Sequence, residues 1–160
     1  MAVVDVQFSA LPAHVRTARL VATAVARRSG VPDRVLDEVR IAVGEACFRA
    51  VDLHQRYAPT EAVRMEISDE PGRLGVTVTD AVPSPAGTAA DADGIGSGRY
   101  DPTSMAEPDD LASSEPAVDF LPDGFGLAVI RALVDEVEII AAPAGGGTQI
   151  RMVWPVGPVR

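Results

Sequence analysis

A glycine turn, a helix and a strand follow one another in residues 124–138, GFGLAVIRALVDEVE. The apolar run after the glycines predicts the helix, and the alternation of Val137 and Ile139 with charged residues predicts the strand. Glycines directly before a helix leave backbone N–H groups and the positive end of the helix dipole free to face a phosphate. Gly124 and Gly126 are therefore candidate anion contacts, although glycine is also common at helix starts that bind no ligand.

The rest of the chain carries the same two periodicities. Apolar residues recur every three or four positions after two prolines, and every second position around a Pro-Gly turn. The predicted elements are strand 3–8, a helix from Pro12 to about Ser29, a helix from Pro32 to about His54, strands 63–67 and 74–78, the helix and strand of 124–138, and a last strand 148–154. Their order predicts a single domain over residues 1–160, an α/β (α+β) two-layer sandwich with a mixed, mainly antiparallel sheet and helices on one face.

The net charge of -9 is concentrated in one segment. Residues 81–123 hold nine acidic residues against Arg99 alone, together with six prolines and no regular apolar pattern. This composition predicts a long, acidic, flexible loop, which is either a functional lid or a passive insert. The rest of the chain is nearly neutral.

Composition also excludes several classes of protein. Lysine and asparagine are absent, so the glycine turn is not a Walker motif. Cys47 has no partner for an internal disulfide, and two histidines provide no spaced zinc set. The longest apolar runs are about seven residues against the ~20 of a membrane helix, and scattered arginines on an acidic chain argue against nucleic acid. We expect a cytoplasmic protein that binds neither membrane nor nucleic acid directly.

Two carboxylates are candidates for chemistry. Glu45 lies at the edge of the apolar face of the second helix, where partial burial raises a carboxyl pKa toward the range of a general base. Alternatively, Glu45 pairs with Arg49 one helical turn later. Asp80 ends a strand beside the acidic loop, where it either accepts a hydrogen bond from a ligand amine or only starts the loop.

Three motifs occur in a fixed order along the chain: VRIAVGEACFRAVDLH at 39–54, VTVTDAVPS at 76–84 and GFGLAVIRALVDEVE at 124–138. A closing strand follows Gly147 and Thr148. Together they resemble the GHKL (histidine kinase-like) ATPase fold, and within it the small stand-alone anti-sigma factor serine-protein kinases. The resemblance covers nearly the whole chain outside the acidic loop, its third motif is the most specific, and it implies a Bergerat-type fold.

The resemblance also implies roles for single residues. By this resemblance, Glu45 falls at the position of the general base that activates the attacking hydroxyl or water. Asp80 falls at the position of the residue that binds the adenine amine. Gly124 and Gly126 fall at the turn that covers the nucleotide phosphates, and Thr148 at a polar contact near the adenine. ATP or ADP is the implied ligand, a sigma factor or an anti-sigma antagonist is the implied partner, and a homodimer is the implied assembly.

The sequence departs from the family pattern at two motifs. Arg49 stands at the position of the magnesium-binding asparagine, and a cation cannot ligate Mg²⁺, whose preferred ligands are oxygens. Arg49 either pairs with nucleotide phosphates in place of the ion or locks Glu45 in an ion pair. Val82 and Ser84 replace two glycines of the adenine motif. These departures argue against magnesium-dependent phosphoryl transfer.

Three functions are open at this point. The first is an anti-sigma-factor-like regulator of bacterial transcription that binds a sigma factor or its antagonist, with weak or magnesium-independent ATP binding. The second is an active serine/threonine protein kinase that phosphorylates the antagonist through Glu45. The third is a nucleotide-free scaffold that contacts basic partners through the acidic loop. We expect the first.

Overall fold

The computed structural model describes residues 1–83, 126–142 and 146–157. Within these ranges the elements follow the order that the sequence predicts: β1 (Ala2–Phe8), α1 (Pro12–Arg28), α2 (Asp33–Tyr57), β2 (Val63–Glu70), β3 (Arg73–Thr79), α3 (Gly126–Leu133), β4 (Glu136–Ala141) and β5 (Thr148–Pro155). Of the acidic segment 81–123, only residues 81–83 are among those described. No helix of the described ranges has the length and apolar character that crossing a membrane requires.

The strands form one sheet in the order β1-β2-β3-β5-β4, and each neighbouring pair is antiparallel. β3 and β4 run in the same direction, but β5 lies between them. The sheet expected to be mixed is therefore antiparallel at every described pairing. The helices cover one face, where the inward side chains of β2 and β3 are buried, and the α/β two-layer sandwich is confirmed.

Small residues bring α1 and α2 close together above the sheet. Buried alanines recur on both helices at helical spacing, namely Ala18, Ala22 and Ala26 on α1 and Ala42, Ala46 and Ala50 on α2. The sheet contributes larger buried side chains, which include Met65, Ile67, Leu74, Met152 and Trp154. Removing this apolar surface from water supplies the main driving force for folding, at roughly 25 cal/mol per Å².

The second helix is longer than its apolar pattern. The pattern ends at His54, whereas α2 continues to Tyr57. In the added turn Arg56 pairs with Asp52 at 3.0 Å along the helix. Pairs of this spacing stabilise a helix without an apolar residue, so hydrophobic periodicity alone places the helix end too early.

The other face of the sheet is polar. Ion pairs link its strands in the described part of the chain, namely Asp5–Arg64 at 2.7 Å, Arg73–Glu136 at 2.6 Å and Arg151–Glu138 at 3.5 Å. The paired side chains are about half exposed, and exposed pairs contribute at most about 1 kcal/mol each. The helix-covered face therefore supplies most of the stability.

Candidate functional site

Asp80 lies directly after β3, where the sheet meets α2, and only 3% of it is exposed. Its Oδ1 accepts hydrogen bonds from the backbone N–H groups of Val82 at 3.1 Å and Thr148 at 3.3 Å. Its Oδ2 lies 3.5 Å from Nη1 of Arg49. A buried carboxylate is costly without such partners, so these contacts explain how the charge is held at this position.

A glycine directly before β5 allows the start of this strand to approach Asp80 closely. The N–H of Asp80 donates to the carbonyl oxygen of Thr148 at 3.0 Å. Gly147 precedes this contact with a φ of +119°, and a β-carbon on it would collide with the carbonyl group of Asp80. Only glycine adopts this backbone conformation readily, so Gly147 allows Thr148 to lie beside Asp80.

Arg49 lies on α2 one turn after Glu45 and is 33% exposed. Among the described residues, the ion pair of Arg49 is with Asp80 and not with Glu45. The alternative in which Arg49 locks Glu45 along the helix is therefore wrong. The reason is tertiary, since the end of β3 presents a buried carboxylate to this face of α2.

Glu45 is half-buried, and its Oε2 lies 3.3 Å from the position that a β-carbon on Gly126 would occupy. The carboxylate is therefore beside the N-terminal residue of α3. Burial raises the pKa of Glu45 above its ordinary value, and the nearby charge of Arg19 acts in the opposite direction. Partial burial and a raised pKa are conditions under which a carboxyl can act as a general base.

Arg19 is a residue that the sequence reasoning missed. Its side chain runs from α1 across Gly44 of α2, where a β-carbon on Gly44 would lie 2.6 Å from its Cδ. A glycine inside an amphipathic helix often marks such a close approach. Gly44 was thus a signal for a close approach to α2, but it does not indicate that the approaching side chain is a cation.

His54 is the second missed residue, with no exposed surface. Its Nδ1 lies 2.8 Å from the carbonyl oxygen of Glu61, and its Nε2 accepts a hydrogen bond from the N–H of Ala81 at 2.9 Å. Ala81 follows Asp80 directly. A histidine in the last part of an apolar stripe resembles a core residue, and nothing local predicts that it holds the end of β3.

The structure thus brings together Glu45, Arg49, Asp80, Gly126 and Thr148 at one end of the sandwich. Gly124 and Ser84 lie outside the described residues. Within the described ranges, no group of three or more His, Cys, Asp or Glu side chains could hold a metal.

A concavity of about 510 Å³ adjoins this site on the polar face of the sheet. It shares Asp80 and Ala81 with the site, but it is lined mainly by strand residues such as Thr79 and Gln149 and contains neither Glu45 nor Gly126. It is therefore a depression in the open sheet face, separate from the residues around Glu45 and Gly126.

Residues 8–154 match the family of histidine kinase-like ATPase domains. In fold, the chain is similar to the RsbU and RsbW domains of Rv1364c from Mycobacterium tuberculosis, with a TM-score of 0.62 and 15% identity over 98% of this chain and 32% of that one. This chain therefore spans about a third of that structure's length. It is also similar to the histidine kinase domain of the E. coli osmosensor EnvZ, with a TM-score of 0.44 and 22% identity over 76% of this chain and 68% of that one. No curated protein is significantly similar to it in sequence. The family match spans nearly the whole chain, which therefore belongs to the histidine kinase-like ATPase domains.

Proposed function

We propose that this chain is an anti-sigma-factor-like regulatory protein, which binds a sigma factor or its antagonist and whose nucleotide binding is weak or independent of magnesium. The observation that carries the proposal is the contact between Arg49 and Asp80 at 3.5 Å. Through this contact the permanently charged guanidinium of Arg49 lies inside the candidate site of an ATPase domain. The likeness in fold to a structure that contains an RsbW domain also motivates the proposal.

The residues around Asp80 fit a nucleotide. Oδ1 of Asp80 is bonded to two backbone N–H groups, whereas Oδ2 has Arg49 at a distance that is long for an N–H···O bond. An adenine amine can donate to Oδ2 when Arg49 turns away, and the guanidinium can then pair with phosphate oxygens. Thr148 would lie beside the base, and the N-terminus of α3 at Gly126 would face the phosphates.

The same residues do not fit magnesium. Mg²⁺ takes oxygen ligands in octahedral geometry, whereas Arg49 supplies a cation. Phosphoryl transfer relies on the ion to neutralise and bridge phosphate oxygens, and one arginine replaces only part of that charge. The arrangement therefore favours a domain that binds nucleotide and a protein partner over an efficient kinase.

An active serine/threonine protein kinase is the second candidate, and Glu45 is the observation that favours it. The carboxyl has a raised pKa and lies beside Gly126 at the start of α3. In this position it could accept the proton of an attacking hydroxyl. The two candidates share the nucleotide site and differ in whether phosphate is transferred.

Calorimetry with ATP, in magnesium and in EDTA, tests the nucleotide part of the proposal. We expect the wild-type affinity to be the same in both conditions, and Arg49→Asn to make it magnesium-dependent. Arg40→Asn is the matched control, because Arg40 lies on the same helix in an exposed pair with Asp37. Strong magnesium dependence in the wild type would contradict the proposal.

Labelled ATP, magnesium and a candidate antagonist protein decide between regulator and kinase. Glu38 lies two helical turns before Glu45 on α2 and is the control carboxylate. Phosphate transfer that is lost in Glu45→Ala and retained in Glu38→Ala would establish the kinase. For the partner, affinity purification from a native lysate of the source organism should recover a sigma factor or an antagonist, identified by mass spectrometry. Recovery of neither would count against the regulator. Light scattering tests the homodimer that the resemblance implies.

A further inference from the structure

Two hydrogen bonds define the state of the His54 ring in the protein interior. Nδ1 faces the carbonyl oxygen of Glu61, and Nε2 faces the backbone N–H of Ala81. A carbonyl oxygen only accepts and an amide N–H only donates. In this arrangement Nδ1 donates and Nε2 accepts, so both ring nitrogens connect the chain after α2 with the chain after β3.

The Ala81 N–H belongs to the peptide group whose carbonyl is that of Asp80. His54 binds the N–H side of this peptide group, and Gly147 packs against its carbonyl side. The peptide plane is thereby held from two directions. The N–H of Asp80 is held by Thr148 on the other side of the residue. Together these contacts fix the backbone of Asp80, and therefore the direction of its Cα–Cβ bond.

We propose that His54 is a positioning residue for the Asp80 carboxylate. The inference deepens the proposed function, since it takes Asp80 as the group that binds the ligand amine. His54 acts through the backbone, does not touch the ligand and takes no part in proton transfer. Its role is to hold the peptide group after Asp80 so that Oδ2 stays in place when Arg49 turns away.

This position therefore needs a donor toward Glu61 and an acceptor toward Ala81. A donor in place of Nε2 would face the N–H of Ala81, and two donors cannot form a hydrogen bond.

His54→Gln and His54→Leu test the proposal. The glutamine amide can donate to Glu61 and accept from Ala81 without changing charge, whereas leucine does neither. His14→Gln is the control, because His14 is a partly exposed histidine of α1 that contacts the carbonyl oxygen of Ser9. If His54→Leu does not fold, the comparison of wild type with His54→Gln still decides.

The first readout is NMR without nucleotide. We expect the wild-type ring to carry its proton on Nδ1. The Ala81 amide and Asp80 carboxylate signals should stay in place in His54→Gln and move together in His54→Leu. A proton on Nε2, an Asp80 carboxylate signal that moves in His54→Gln, or signals that stay in place in both variants would overturn the proposal.

The second readout is ADP affinity by calorimetry. We expect His54→Leu to bind ADP about fivefold to tenfold more weakly than the wild type, as for the loss of one hydrogen bond, and His54→Gln to restore most of the affinity. Equal affinities of His54→Gln and His54→Leu would overturn the positioning role. If neither the wild type nor any variant binds ADP, the proposed nucleotide function fails, and the NMR readout alone decides on His54.

Discussion

The backbone of Gly147 passes directly beside the carbonyl group of Asp80. A β-carbon on Gly147 would lie 2.6 Å from the carbonyl carbon, and the φ of Gly147 is +119°. The next residue, Thr148, exchanges backbone hydrogen bonds with Asp80 and its carboxylate, although the two are 68 residues apart in sequence. The start of β5 thus sets the position of the carboxylate that ends up at the centre of the site.

We expect Gly147→Ala to lower the free energy of unfolding by more than about 2 kcal/mol, because a left-handed backbone and a collision each cost about 1–3 kcal/mol. Urea unfolding followed by circular dichroism measures the change. Gly146→Ala is the matched control, since nothing lies within 4 Å of a β-carbon there, and it should change stability by less than about 0.5 kcal/mol. Equal effects of the two substitutions would contradict the close approach.

Gly44 and Arg19 should be energetically coupled. Alanine normally stabilises a helix interior by about 1 kcal/mol relative to glycine. In the wild type we expect Gly44→Ala to give none of this gain, because the new β-carbon displaces the Arg19 side chain. In an Arg19→Ala background, the same substitution should give the full gain. A double-mutant cycle by urea unfolding measures the coupling, and additive effects would show that the two sites are independent.

Glu45 should make the protein less stable as the pH rises. Burial raises its folded pKa, so its favourable contribution is fully present below its unfolded pKa. That contribution is lost as the pH rises through the pKa of the folded state. Between the two pKa values the folded state binds more protons than the unfolded state. Glu45→Gln keeps a neutral side chain. We therefore expect its stability relative to wild type to increase from about pH 4 to about pH 7 in urea unfolding. A constant difference across this range would disprove the assignment.

The thiol of Cys47 should be unreactive in the native protein. Burial raises its pKa to about 12, with Arg19 opposing the shift, and the residue has no exposed surface. Because the thiolate is the reactive form, labelling by a thiol reagent at about pH 8 should be at least about a hundredfold slower than in urea. Cys47 is the only cysteine of the chain, so the measurement reports one site. Rapid labelling without denaturant would show that α2 opens easily.

Local patterns in the sequence predicted most of the elements. The two periodicities of apolar residues placed all eight described elements in the right order, because side-chain burial repeats with the geometry of a helix or a strand. They placed the end of α2 too early, since its last turn is held by the Asp52–Arg56 pair. They also led to the prediction of a mixed sheet, because apolar patterns do not show that β5 lies between β3 and β4.

The candidate site was only partly predictable. Glu45, Asp80 and Thr148 were found because they belong to motifs whose spacing is visible along the chain. The partners of these residues were not found, since Arg19 comes from another helix and His54 looks like any buried residue of an apolar stripe. A tertiary contact can be recognised in the sequence only where it requires a particular residue type, as it does glycine at positions 44 and 147.

The sequence by itself determined the class of the fold, the family resemblance and the absence of asparagine where the resemblance implies a magnesium ligand. The tertiary structure alone decided what Arg49 does there. An i,i+4 pairing with Glu45 was available along the helix, but the buried carboxylate of Asp80, 31 residues further along the chain, is the partner. The physical reason is burial, because a desolvated carboxylate needs a charged partner far more than a half-exposed one on the same helix.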